Sequence, residues 1–214
     1  MRDQRDQQVL CSEQMKDIIN DRSKLETIAQ KSYVHDNGFV KIVINETLGK
    51  KVRLHVFPED DKIRAAENWH NHRWNFESKI LVGSIRHETA GFECVEAGPF
   101  VKWHYQRMSN GKFTLLPTTE NYRITNHSSE VYITGEKYVL RTGMIHRIIP
   151  SGEFTATLVT TEPPNSDSCF QWAEVGHDVG QNGVEQQKIP LVWWEVRSYL
   201  KDVLFRMSCR EMMQ

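Results

Sequence analysis

The residues with the clearest chemical potential lie in WHNHRWNFESKILVGSIRHE, Trp69 to Glu88. His70 and His72 are two apart, and on a strand such residues project to the same side. Two neutral imidazoles at that spacing can share one transition-metal ion. Glu77 lies five residues beyond His72 and would face the other way on one straight strand. A bend across Arg73, Trp74, Asn75 and Phe76 would let it enter the next strand facing inward, as a charged third ligand. Two histidines and a carboxylate with open positions suit non-haem iron and oxygen chemistry. His146 in RTGMIHRI is the candidate fourth ligand, with Gly143 making a tight turn three residues earlier. His87 is ten residues after Glu77, in phase with it on a straight strand, and is a candidate proton donor lining the pocket rather than a ligand. Tyr105 shares a strand face with Trp103 and Arg107, leaving His104 on the other, and that face is a candidate cavity lining.

Short strands must position these groups. GFVKIVINE alternates Phe39, Lys41 and Val43 against Val40, Ile42 and Ile44. KKVRLHVF puts Val52, Leu54 and Val56 on one face and Arg53, His55 and Phe57 on the other. WHNHRWNF, SKILVGSIRHE, PFVKWHYQRM, KFTLLPTT, NYRITN, EVYITG, KYVLRTG, IHRII and EFTATLVTT follow, often separated by turn residues. This is the pattern of an antiparallel sandwich or barrel. Residues 8–30 read as helix, broken near Asn20 to Ser23 with Asp21 or Ser23 as a cap. After Glu162 the chain reads as an exposed connection. Pro190 then opens a closing helix whose apolar stripe includes Leu191, Trp194, Val196, Leu200 and Val203. The expected organisation is a helical segment over 1–36, a barrel over 37–165, and a loop and helix over 166–214 that pack on the barrel.

With 214 residues the chain can bury one sizeable core. A net charge of −1 gives no basic footprint for nucleic acid and no case for an anionic membrane surface. No apolar run is long enough to span a bilayer, and the polar N-terminus does not read as a secretory signal, so a cytoplasmic location is expected. Cys11, Cys94, Cys169 and Cys209 are widely spaced and form no CxxC, which indicates reduced structural thiols. His35, His55, His127 and His177 have no partner in the pattern and read as surface or structural.

HNHRWNFESKILVG resembles the first motif of the cupin superfamily, with His70, His72, Glu77 and Gly83 at its key places. GEKYVLRTGMIHRIIP resembles the second, through Gly135, Gly143 and His146. Arg141 stands where that motif has a proline, Pro150 where it has an asparagine, and Arg64 where the first motif has its leading glycine. The resemblance covers residues 38–162 and implies a mainly β fold, an antiparallel double-stranded β-helix (cupin barrel, jelly roll) with N-terminal and C-terminal helices. It implies one divalent transition metal held by His70, His72, Glu77 and His146. Fe(II) is the first expectation, with Zn, Ni or Mn as alternatives. Glu77 sets the chain apart from the superfamily's cysteine-oxidising members, which hold iron with three histidines. Arg141 near the metal mouth would suit a carboxylate or phosphate on the substrate. The implied function is an iron oxygenase acting on a small amino-acid or carboxylate metabolite. A non-redox isomerase or lyase, or a small-molecule-binding module without catalysis, are the alternatives. A homodimer through the Trp-rich C-terminal helix is plausible.

Overall fold

A computed structural model describes residues 12–35, 38–59, 67–107, 113–176 and 189–211. Cys11, Arg64 and His177, and residues 8–11 of the expected first helix, lie outside these. In chain order the elements are α1 (Ser12–Asn20), α2 (Arg22–Ala29), β1 (Tyr33–His35), β2 (Phe39–Thr47), β3 (Lys50–Phe57), β4 (Trp69–His70) and β5 (Phe76–Val82). Then come β6 (Ser84–Val95), β7 (Phe100–Arg107), β8 (Phe113–Ile133), β9 (Lys137–Leu140), β10 (Ile145–Pro150), β11 (Thr155–Thr161), β12 (Cys169–Glu174), β13 (Ile189–Pro190) and α3 (Trp193–Glu211).

The strands form two antiparallel sheets, as the mainly β expectation required. One is seven-stranded, in the order β13-β1-β2-β3-β11-β5-β9. The other closes on itself in the order β10-β4-β12-β7-β8-β6. The alternation of β2 and β3 separates two cores. Val40, Ile42, Leu54 and Val56 face outward, where Met15, Leu25, Ile28, Val196, Leu200 and Val203 of the three helices cover them. Phe39 and Phe57 face inward with Phe76, Ile80, Ile85, Tyr138, Leu140, Ile148 and Val159. The helices are therefore lids on one sheet, which buries its outer apolar face. Asp21 separates α1 from α2 and caps α2, its Oδ1 accepting from the Lys24 amide at 3.1 Å.

Three differences from the sequence reading matter. The three expected strands KFTLLPTT, NYRITN and EVYITG are one continuous strand, β8. The stretch after Glu162 is not all connection, because β12 lies in it and pairs with both β4 and β7 to complete the closed sheet. Its side chains explain this: Trp172 packs with Trp69 and Tyr122, and Phe170 packs against that cluster. Pro190 belongs to β13, opposite Tyr33, and α3 begins three residues later. Cys94, Cys169 and Cys209 form no disulfide. Among the described residues no helix is long and apolar enough to cross a membrane.

Candidate metal centre

His70 ends β4 and lies directly opposite His146 of β10, so the antiparallel ladder puts both side chains on one face. Their ring centroids are 4.5 Å apart. His72 is not on a strand, as the spacing suggested, but in the loop between β4 and β5. That loop is pinned at several points. The Asn71 amide donates to the Phe170 carbonyl at 3.0 Å, and the Phe170 amide to Asn71 Oδ1 at 2.7 Å. The Thr142 amide donates to Asn75 Oδ1 at 2.8 Å, and the Asn165 amide to the Arg73 carbonyl at 2.8 Å. Gly143, at φ +82°, turns the β9–β10 connection so that its amide meets the His72 carbonyl at 3.3 Å. The loop is thus held before any ligand arrives, which is what a precise donor set requires.

One ring nitrogen from each of His70, His72 and His146 lies within 4.8 Å of the others. His72 Nε2 and His146 Nε2 are 3.0 Å apart. Two nitrogens each about 2.1 Å from one ion at a right angle are also about 3.0 Å apart, so the pair fits cis coordination. Burial holds His72 and His146 well below the usual imidazole pKa, with the neighbouring histidines adding to it. Both are therefore neutral at pH 7, the form that metal ligation requires. The second ring nitrogens of His70 and His146 are also engaged. His70 Nδ1 is 2.8 Å from the Asn68 carbonyl, which leaves Nε2 its lone pair. His146 Nδ1 is 3.1 Å from His87 Nε2. Such outer partners orient ligand rings and raise their basicity.

His87 is 6% exposed and lies behind the cavity wall, its ring stacked on Tyr138 at 4.3 Å between centroids. Burial lowers its pKa to about 4. It contacts His146 and is not among the described residues lining the cavity. Glu77 departs from the expected set. It is the second residue of β5, between Val139 of β9 and Thr160 of β11, on the outer face. Its Oε2 is 2.9 Å from Lys137 Nζ. The bend at Arg73 to Phe76 does occur, but β5 then turns Phe76 and Ser78 inward, so Glu77 points out. The distinction from three-histidine cupins rested on Glu77 and falls with it. Arg141 is exposed in the β9–β10 connection. Tyr105 is opposite Cys169, two strands from β4, and is not among the described residues lining the cavity.

The cavity between the sheets has a volume of about 80 Å³. Besides the three histidines it is lined by residues the sequence reading set aside or left unassigned: His35, Lys41, Arg53, His55 and Glu67. Glu67 accepts a hydrogen bond from the Ile148 amide, two residues along β10 from His146. The signal for Arg53 and His55 was their alternation with Val52, Leu54 and Val56. Glu67 had no comparable signal, since it precedes β4 outside any pattern. A more open cleft of about 250 Å³ by α1 and β2 has Asp17 as its one carboxylate and no histidine or cysteine among its described lining residues.

No family model matches the chain, and no curated protein matches it. Among solved structures it is similar to a cupin-2 domain protein from Shewanella frigidimarina, at 14% identity over 57% of this chain and 78% of that one, with a TM-score of 0.31. It is also similar to ectoine synthase from P. lautus, at 8% identity over 72% and 78% of the two chains, TM-score 0.36. A third is hydroquinone 1,2-dioxygenase from Sphingomonas sp. TTNP3, at 9% identity over 59% and 67%, TM-score 0.33. Likeness at these scores carries no functional argument. What this chain itself shows is two antiparallel sheets enclosing a cavity, with His70, His72 and His146 converging inside it, and in that architecture the chain is cupin-like.

Proposed function

We propose that the chain is a metal-dependent enzyme acting on a small polar metabolite, with His70, His72 and His146 as ligands of one divalent transition metal. The observation that supports this is the convergence of three imidazoles in an enclosed cavity. When bound, such an ion supplies either redox chemistry with oxygen or Lewis-acid polarisation of a substrate oxygen. The protein's part is to orient the donors through Asn68 and His87 and to exclude water with Phe39, Phe57, Phe76 and Ile80. Exclusion of water favours oxygenase chemistry on Fe(II), because reactive species then meet only the substrate.

One observation favours a second reading. Glu77 faces outward, so the donor set is three histidine ring nitrogens, which zinc also accepts in catalytic sites. On that reading Zn, Ni or Mn supports an isomerisation or lyase step. Elemental analysis of protein purified without chelators, followed by oxygen-uptake screening with small acids and amino acids, tests both. About one iron per chain with substrate-dependent oxygen consumption supports the oxygenase. Stoichiometric zinc, nickel or manganese and no oxygen consumption supports the second reading, and no metal even after reconstitution overturns both. The expected homodimer is part of the proposal: Trp194 and Phe205 of α3 are 58% and 70% exposed, eleven residues apart on one helical face. Sedimentation of wild type beside Phe205→Asp tests it.

A further inference from the structure

We infer that the cavity wall facing the histidines is a carboxylate-binding subsite, in which the Arg53 guanidinium pairs with the acid group of a small substrate. This deepens the metal-enzyme reading by naming the substrate class.

Arg53 projects inward from the middle of β3 and is 9% exposed. Its Nε is buried with no hydrogen-bond partner. Among the described residues no carboxylate lies within ion-pair distance of it. Glu46 acts on it only through space, and its own carboxylate is held by Lys51 at 2.8 Å. The guanidinium contact that remains is the Trp74 ring, 5.4 Å to the centroid. A stacked aromatic face does not replace the hydration that a cation loses on burial. A buried guanidinium without a counter-charge is costly to the fold, so its retention points to an anion that arrives from outside.

The surroundings agree. His55, two residues along β3, also has a buried ring nitrogen, Nε2, with no partner. Lys41 lines the same cavity, its Nζ 3.3 Å from the Tyr33 hydroxyl. Trp74 ties this wall to the proposed metal, since its ring is also 5.5 Å from that of His72. Arg53 and Lys41 both bear electrostatically on His72. A guanidinium fork matches a carboxylate through two parallel hydrogen bonds. A volume of about 80 Å³ is small beside the roughly 300–1,000 Å³ of sites for drug-sized ligands, so the acid has only a few heavy atoms. The geometry fits an acid whose carboxylate rests on Arg53 while its other polar end faces the three histidines.

The test is calorimetric titration of the zinc-loaded full chain with pyruvate and glycolate, beside acetamide and inorganic phosphate. The acids bind saturably and acetamide does not. Arg53→Met weakens acid binding at least tenfold, leaves zinc stoichiometry unchanged, and melts no lower than wild type without ligand, because it removes an unpaired buried charge. Acid binding unaffected by Arg53→Met overturns the proposal. So does phosphate binding more tightly than the acids. A variant that melts well below wild type would give Arg53 a structural role instead. After chelation the acids still bind, more weakly, and still depend on Arg53. Loss of all acid binding on chelation would assign it to the metal alone and overturn the proposal. Conversely, a His72→Ala chain that keeps its zinc refutes the metal reading without touching the Arg53 result.

Discussion

Replacing Glu77 with alanine separates the donor set in this structure from the one its motif implies. In the structure the carboxylate is an outer-face group, 30% exposed, paired with the 58% exposed Lys137 at 2.9 Å. An exposed pair of this kind contributes about 0.2–1 kcal/mol. For a chain of this size that is a fall of no more than about 4 °C in melting temperature. Metal affinity should be unchanged within experimental error. Removing a ligand, by contrast, must cost more than the roughly 10–100-fold that loss of an outer partner costs. The assay is competitive titration with zinc and a chromophoric chelator, on wild type, Glu77→Ala and His72→Ala, with thermal melts of each. His72→Ala should lose at least about a hundredfold in affinity, on the same reasoning about ligands. A Glu77→Ala chain that loses zinc comparably would refute the outward placement and restore the mixed histidine–carboxylate set.

The other predictions test the supports of the centre. His87→Phe keeps the stack on Tyr138 but removes the contact to His146 Nδ1, so zinc affinity should fall about 10–100-fold with stoichiometry retained at saturation; unchanged affinity in the same titration would deny His87 its orienting role. Gly83→Ala should destabilise the fold by more than the roughly 1–2 kcal/mol of left-handed strain alone. Its backbone is at φ +77°, and a Cβ would meet the Phe154 carbonyl oxygen and Thr155 Oγ1 at 2.5 Å; a denaturant melt reads the loss. Metal at a hundredfold excess over its dissociation constant should stabilise the folded chain by about 2.7 kcal/mol, seen as a rise of roughly 5–11 °C that a chelator reverses.

Much of the fold was legible because its strands carry a local signal. β2 and β3 alternate apolar residues for the helix-covered face with residues for the cavity, and that pattern alone separates the two cores. Asp21, with Ser23 the alternative, was legible as a cap because its side chain meets its partner three residues away. β12 was not, because CFQWAE is short, lies among turn residues, and gains its order from Trp69 and Tyr122, more than forty residues distant. The three converging histidines were legible by type and order. That His72 would act from a loop was not, since its position depends on hydrogen bonds to Phe170, Thr142 and Asn165 across the fold.

The fates of Glu77 and His87 have one physical cause. Ten residues separate them, so on a straight strand they share a face, and whichever pointed inward would take the other along. In the structure the pairing of β5 with β11 shifts register between Ala156 and Thr157: Val82 is opposite Ala156, Ile80 is opposite Thr157, and Leu81 is the extra residue. A bulge of one residue reverses the in–out alternation for everything that follows. Before it, Phe76 and Ile80 face the inner core and Glu77 faces out; after it, Ile85 faces that core and His87 faces His146. Gly83, at φ +77°, then carries the chain from one sheet to the other directly behind the bulge. Period-two reasoning applied across Trp69 to Glu88 therefore fails at Leu81 and nowhere earlier in β5. The extra residue uncouples the two, so that His87 meets His146 while Glu77 stays on the outer face.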